Sequence, residues 1–161
     1  LPEAQLDRFM MRVVIGYPSR EKELEILDTH AVRSTFHDLV PVATLEEVEE
    51  MVDIAREVAV SPSVKNYIVD LVEGTRLHPD VMLGASPRSA LFLQRISRSR
   101  AAARGRDYVM PDDVKDLAVP VLEHRLVLRP EAQMRGESIG GVIDDVMGRI
   151  RVPGTTSRIA T

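Results

Sequence analysis

Residues 83–91, Leu83-Gly84-Ala85-Ser86-Pro87-Arg88-Ser89-Ala90-Leu91, read as the abrupt opening of a helix. Ser86 stands at the cap position. Pro87 suits the first helical turn, where a backbone N–H has no intrahelical acceptor and its loss costs nothing. Ala90, Leu91, Leu93 and Ile96, with Phe92 beside them, give an apolar face to a helix running to about Arg104, and Gly105 ends it. Arg88 is at odds with this start. A cation in the first turn is slightly disfavoured by the helix dipole, unless the free amides and the guanidinium face a common anion.

The same punctuation recurs on both sides. Downstream, Tyr108-Val109-Met110 suits a short extended stretch, and Pro111-Asp112-Asp113 opens a helix carrying Val114, Leu117, Ala118, Val121 and Leu122. The two aspartates suit its first turn. Pro120 sits inside the pattern and is expected to kink or interrupt it. Upstream, Ser61-Pro62 opens a helix with a buried stripe of Val64, Ile68, Leu71, Val72 and Thr75, its end marked by Gly74 and Pro79. Before that, Thr44-Leu45-Glu46-Glu47 is a capping box, and Leu45, Val48, Met51, Val52 and Ala55 follow at spacings of three and four. Glu46, Glu47, Glu49 and Glu50 read as a helix start and a solvated face. Ser19 caps an earlier helix with Leu24, Ile26 and Leu27, and a polar loop runs from about His30 to Ala43. The tail from Arg129 carries Pro130, Gly136, Gly140 and Gly141, then a short helix near Val142 to Ile150. Pro153 to Thr161 is expected to be disordered.

One segment is not helical. Phe9 to Ile15 reads F-M-M-R-V-V-I and is stopped by Gly16 and Pro18, which fits a strand buried on both faces of a parallel sheet. A single strand makes no sheet, so the run predicts partner strands upstream of Leu1. The expected fold is mainly α: one strand, residues 1–18, closing a core that lies elsewhere; a helical bundle over 19–128; and a partly disordered extension over 129–161.

Composition narrows the chemistry. At 161 residues, one or at most two small domains are expected. The net charge of -4 gives no whole-chain attraction to nucleic acid or anionic membrane. Cysteine is absent, which excludes disulfides and thiolate metal sites. No apolar run is long enough to span a bilayer and no signal peptide is visible, so the expected location is the cytoplasm. Of 21 basic residues only Lys22, Lys65 and Lys115 are lysines, and none follows a glycine. A phosphate-cradling loop needs Gly-Lys-Ser/Thr, and no apolar strand ends in Asp-Glu to support Mg²⁺. The chain alone is therefore expected to run no P-loop hydrolysis. His30, His37, His78 and His124 show no metal-ligand spacing and are expected at the surface or in caps. Arg95, Arg98, Arg100, Arg104 and Arg106 do not share one helix face. They read as a solvated surface with ion pairs, a subunit interface being the middle option and nucleic acid the least supported, since interleaved aromatics are missing.

Three segments, in order, resemble one family: L-P-E-A-Q-L-D-R-F (Leu1 to Phe9) running into the apolar stretch and G-Y-P; L-G-A-S-P-R-S-A-L (Leu83 to Leu91); and G-R-D-Y-V-M-P-D-D-V (Gly105 to Val114) followed by V-L-E-H-R-L (Val121 to Leu126). Together they resemble the C-terminal part of MoxR-family AAA+ ATPases, with the match extending to about Ile150. The resemblance implies the end of an αβα core with its last strand, followed by a helical lid. It implies a parent that binds ATP and Mg²⁺, hydrolyses ATP as a ring, usually hexameric, and acts as a chaperone-like factor in maturing proteins or metal cofactors with von Willebrand A-type partners.

The resemblance also implies site roles. Arg8 corresponds to the arginine finger, which reaches the γ-phosphate of a neighbouring subunit's ATP; a planar guanidinium suits charge spread over equatorial oxygens. Read from spacing alone, Arg8 is a structural ion-pair residue for Asp7 or Glu3. Arg88 corresponds to the sensor-2 arginine, in cis or in trans, with Ser86 and Pro87 shaping the nucleotide-facing helix start. Ser86 has no base near it and is expected to cap rather than to attack. The competing readings are a stand-alone helical interaction module without ATPase activity, and a nucleic-acid binder using the Arg-rich helix.

Overall fold

The structure is a computed structural model that describes residues 3–30 and 39–154. Its elements are α1 (Glu3–Leu6), α2 (Arg20–His30), α3 (Leu45–Glu57), α4 (Pro62–Leu77), β1 (Val81–Leu83), α5 (Pro87–Ala103), α6 (Pro111–Leu122), a 3-10 turn at Glu123–Arg125, β2 (Val127–Leu128), α7 (Pro130–Met134) and α8 (Ile139–Arg149). They fall into two units, Leu1–Arg12 with Val52–Thr161, and Val13–Met51. The fold is mainly α, as expected.

In the larger unit α4, α5, α6 and α8 pack around one core. Ser61 caps α4 by accepting the Val64 amide at 3.3 Å. The stripe Val64, Ile68, Leu71, Val72 and Thr75 is buried as predicted, joined by Tyr67. Gly74 does not end the helix, which continues to Leu77 ahead of Pro79. It is there for close packing: a Cβ on it would lie 2.5 Å from Val146 Cγ1 on α8. Helix α8 adds Val142, Ile143 and Val146 to the core. In α6, Val114, Leu117, Ala118, Val121 and Leu122 are all buried. Pro120 does not interrupt it, since the helix runs on to Leu122 and loses only one amide donor near its end.

The inward face of α5 is built differently from expectation. Ser89, Leu93, Ser97 and Ala101 are buried, Ala90 and Ile96 only partly, and Leu91 is 56% exposed. Three of the four buried side chains are small, which lets α6 approach closely. A short antiparallel sheet, with Val81 opposite Leu128 and Leu83 opposite Val127, was not expected. Its strands are too short for their alternation to be read.

The loop between α5 and α6 is held by a buried carboxylate. Asp113, on the first turn of α6 and 1% exposed, accepts the Met110 amide at 2.9 Å and both Arg106 guanidinium nitrogens at 2.7 and 2.6 Å. Arg100 and Arg104 add Coulombic support at 3.7 Å. The Arg-rich stretch is thus in part a set of ion pairs with α6, Arg100 pairing also with Asp116.

The smaller unit carries two caps that form as read. Ser19 Oγ accepts the Lys22 amide, and Thr44 with Glu47 makes the reciprocal capping box at 2.7 and 3.2 Å. The predicted burial does not follow. Helix α3 has no buried residue: Leu45, Val48, Met51 and Val52 are all exposed, as are Leu24 and Leu27 on α2. Periodicity marks the face that suits a partner, not whether the chain supplies one. The strand expected over Phe9–Ile15 does not form. No strand lies beside it among the described residues, so its backbone has no ladder to join, and Val13, Val14 and Ile15 are exposed. Most of the loop expected from His30 to Ala43, and residues 155–161 of the tail, lie outside the described residues.

Asp113 should make the fold acid-sensitive. Burial pushes its pKa upward, but the Arg106 fork, the Met110 amide and Arg104 more than reverse this and hold it below its ordinary 3.8. A lowered native pKa stabilises the fold fully above the unfolded aspartate range, and this stability is lost as pH falls through the lowered value. We expect Asp113→Asn to cost about 2–3 kcal/mol at pH 7, on the low side for a buried pair because Arg106 is partly open to water. Urea melts at pH 7 and pH 3 check this, and the gap between the variant and the parent chain should shrink at the lower pH.

Candidate functional site

The start of α5 is fixed from below by α4. Thr75 Oγ1 donates to the Val72 carbonyl at 2.7 Å and accepts the Ala85 amide at 3.0 Å. Arg76 Nε donates to the Ala85 carbonyl at 2.7 Å. The chain lies so close here that a Cβ on Gly84 would sit 2.6 Å from the Arg76 Cα, a backbone atom that cannot rotate away. Gly84-Ala85 is thereby pressed onto α4, and Ser86 emerges in one defined place.

Ser86 holds the cap position with extended backbone, and the Ser89 amide reaches its carbonyl at 2.9 Å. Its side chain does not cap the helix. The hydroxyl donates instead to the Asp7 carboxylate, 3.0 and 3.1 Å from its two oxygens. This joins the first and second of the three sequence segments.

The third segment closes on the same carboxylate. Arg125 Nε donates to Asp7 Oδ1 at 3.2 Å, and Nη2 lies 3.4 Å from the Asp7 carbonyl. Nη2 also donates to the Phe9 carbonyl, and Nη1 to the carbonyls of Val121 and of Met10, the latter at 3.4 Å. The guanidinium lies 5.1 Å from the Phe92 ring centroid, a cation–π contact with α5. The Arg125 side chain is 1% exposed. Burial pushes its pKa down, the Asp7 carboxylate pulls it back up, and the Arg88 guanidinium lowers it again, which places Arg88 within electrostatic range. His124 Nε2 lies 3.1 Å from the Phe9 carbonyl, and burial keeps its pKa below the ordinary histidine range. Arg12 finishes the attachment: its amide donates to the Pro120 carbonyl at 2.8 Å.

The predicted site residues sit around this cluster. Arg8 directly follows Asp7, its guanidinium exposed; Asp7 pairs with Arg125 and not with Arg8. Pro87 and Arg88 are exposed on the first turn of α5. Among the described residues neither Arg8 nor Arg88 has a side-chain hydrogen bond or ion pair. The sequence brought Arg8, Ser86, Pro87 and Arg88 into view but passed over Asp7 and Arg125 as working residues. Their signal was present, since Asp7 and the E-H-R of the third segment both lie in the resembling stretches. Nothing in a one-dimensional pattern marks Arg125 as buried. His78 takes the second of its expected roles: it is the C-cap residue of α4, buried, with Nδ1 accepting the Asp80 amide at 3.2 Å and Nε2 3.0 Å from Asp145.

Comparison with known proteins bears on this arrangement. Residues 73–146 match the family described as the AAA lid domain. Over 95% of its length the chain is 39% identical to the uncharacterised protein YeaC of Bacillus subtilis and 36% identical to the chaperone MoxR1 of Mycobacterium tuberculosis, covering 48% and 42% of those proteins. It is 29% identical to the protein MoxR of Paracoccus denitrificans, covering 51% of it. The fold matches a crystal structure from Cytophaga hutchinsonii, of a protein with a provisional ATPase assignment, at a TM-score of 0.83 and 31% identity over 94% of this chain and 49% of that one. The chain spans about half the length of the curated relatives it matches. Residues 73–146 thus carry an AAA lid domain, and the chain as a whole is similar to the C-terminal half of proteins named MoxR.

Proposed function

We propose that this chain supplies the lid and the two phosphate-reading arginines of a ring-forming MoxR-type ATPase, with Arg8 as arginine finger and Arg88 as sensor 2. The observation that carries this reading is the Ser86–Asp7 hydrogen bond. It joins the segment bearing Arg8 to the helix start bearing Arg88, and leaves both guanidiniums exposed.

The chemistry fits that placement. Phosphoryl transfer spreads negative charge over the equatorial oxygens of the γ-phosphate, and preorganised guanidiniums stabilise that charge without reorganising at the moment of reaction. Arg88 adds its charge at the positive end of α5, where an anion is already favoured. Because the two arginines leave from segments joined by a single contact, the reading favours one shared nucleotide, held by a neighbouring subunit. The residues here fit the outer phosphate only. Mg²⁺, when bound with the nucleotide, neutralises phosphate charge, and its ligands would come from outside this chain, whose described residues hold no cluster of three or more His, Asp or Glu placed for a metal. The parent would act as a ring, usually hexameric, in chaperone-like maturation of proteins or metal cofactors, with a von Willebrand A-type partner, in the cytoplasm. No described helix is long and apolar enough to cross a membrane.

In the ATPase that contains this chain, Arg8→Ala should lower ATP turnover by roughly a thousandfold and Arg88→Ala by about a hundredfold, with circular dichroism unchanged. Near-normal turnover in both variants would remove the assigned roles. The chain by itself has arginines for the terminal phosphate but no cradle, so calorimetric titration with ATP should show no micromolar binding.

A further inference from the structure

We propose that Arg125 is a positioning residue for the proposed finger: its buried guanidinium clamps the backbone on both sides of Arg8 to the lid, so that Arg8 and Arg88 move as one body. The inference rests on the roles given to those two arginines above. It adds a residue that touches no nucleotide and acts through the segment it holds.

The geometry is specific. Arg125 engages the Asp7 carboxylate and carbonyl ahead of Arg8, and the Phe9 and Met10 carbonyls behind it. Every neighbour of Arg8 over these four residues is gripped, while the Arg8 side chain is left exposed. The other face of the guanidinium rests on Phe92 of α5, the helix that begins with Pro87 and Arg88. Ser86 closes the circuit by donating to the same Asp7 carboxylate. One buried cation therefore ties finger segment and sensor helix together. Any lid rotation that moves Arg88 carries Arg8 with it.

A lysine cannot reproduce this. Its ammonium is a point charge with donors converging on one atom, whereas the contacts need a planar fork reaching a carboxylate on one edge and carbonyls on the other. The distinction from a mere fold tie is kinetic. A fold tie would lower thermal stability and leave the turnover of folded protein alone. A positioning residue lowers kcat through Arg8 and leaves ATP affinity nearly untouched, because a small misplacement of a reacting group is enough to cost about a hundredfold.

The experiment uses the ATPase containing this chain, with Arg125→Lys, Asp7→Asn, Arg8→Ala and the double variant Arg8→Ala/Arg125→Lys, each checked for folding by thermal melt. Arg125→Lys should lower kcat about tenfold to a hundredfold with KM for ATP little changed, and Asp7→Asn should do the same more mildly. The double variant should be no slower than Arg8→Ala alone. Amide exchange at Phe9 to Arg12 should accelerate in Arg125→Lys. Should Arg125→Lys fail to fold, Asp7→Asn carries the same comparison. Wild-type turnover in folded Arg125→Lys and Asp7→Asn, with Arg8→Ala inactive, overturns the clamp alone; so do losses that multiply in the double variant. Normal turnover in Arg8→Ala overturns the finger role itself, and the clamp with it.

Discussion

The arrangement around the candidate site depends on one buried cation that must be neutralised. Arg125 sits in the last turn before β2 with its side chain 1% exposed, and a guanidinium cannot shed its charge to escape that cost. The only carboxylate it reaches among the described residues is Asp7, 118 residues away in sequence. Pairing them brings the N-terminal segment onto the lid, with the carbonyls of Phe9 and Met10 taking up further donors. A long-range attachment is thus made by charge pairing and hydrogen bonding, with Met11 packed against the core beside them. That suits a segment whose neighbouring residues, Val13 to Ile15, are exposed.

The second element of the arrangement is steric. Gly84 lets the chain lie directly on Arg76, and Thr75 and Arg76 fix Ala85 from both its amide and its carbonyl. Beneath, Gly74 admits Val146, so that α8 braces the same stretch of α4. A helix start held in this way has little freedom to adapt. Its cap side chain, Ser86, serves Asp7 in place of its own helix amides.

These features set what could be read from sequence. Helix starts were legible because caps are local: Ser61, Thr44 and Ser19 each bond within three residues, and the stripes of α4 and α6 are buried as their spacing predicts. The inner face of α5 was misread because two of its four buried residues are serines, which hydropathy assigns to water. The same rule made α3 look buried when none of its residues is. Ser86 was placed correctly and given the wrong partner, since its bond to Asp7 spans 79 residues and no local rule reports it. The resemblance supplied Arg8 and Arg88. The physical link between their segments became visible only with Arg125 in place.

The arginines finally sort by partner. Arg76 is committed to a backbone carbonyl, Arg106 to a buried carboxylate, Arg100 to two carboxylates on α6, and Arg125 to Asp7 and the carbonyls around it. Exposure alone does not single out Arg8 and Arg88 from the rest, because Arg95 is exposed as well and lines an open groove with Arg56 and Arg98. What separates them is their place beside the Ser86–Asp7 contact. Arg95 lies in the middle of α5, nine residues beyond Ser86. Arg8 and Arg88 leave from backbone held on either side of the Ser86–Asp7 contact. A guanidinium presented from a fixed backbone loses less entropy when it meets a phosphate, and it meets it in a repeatable geometry. That placement, and not charge, is what supports the chemical role proposed for these two.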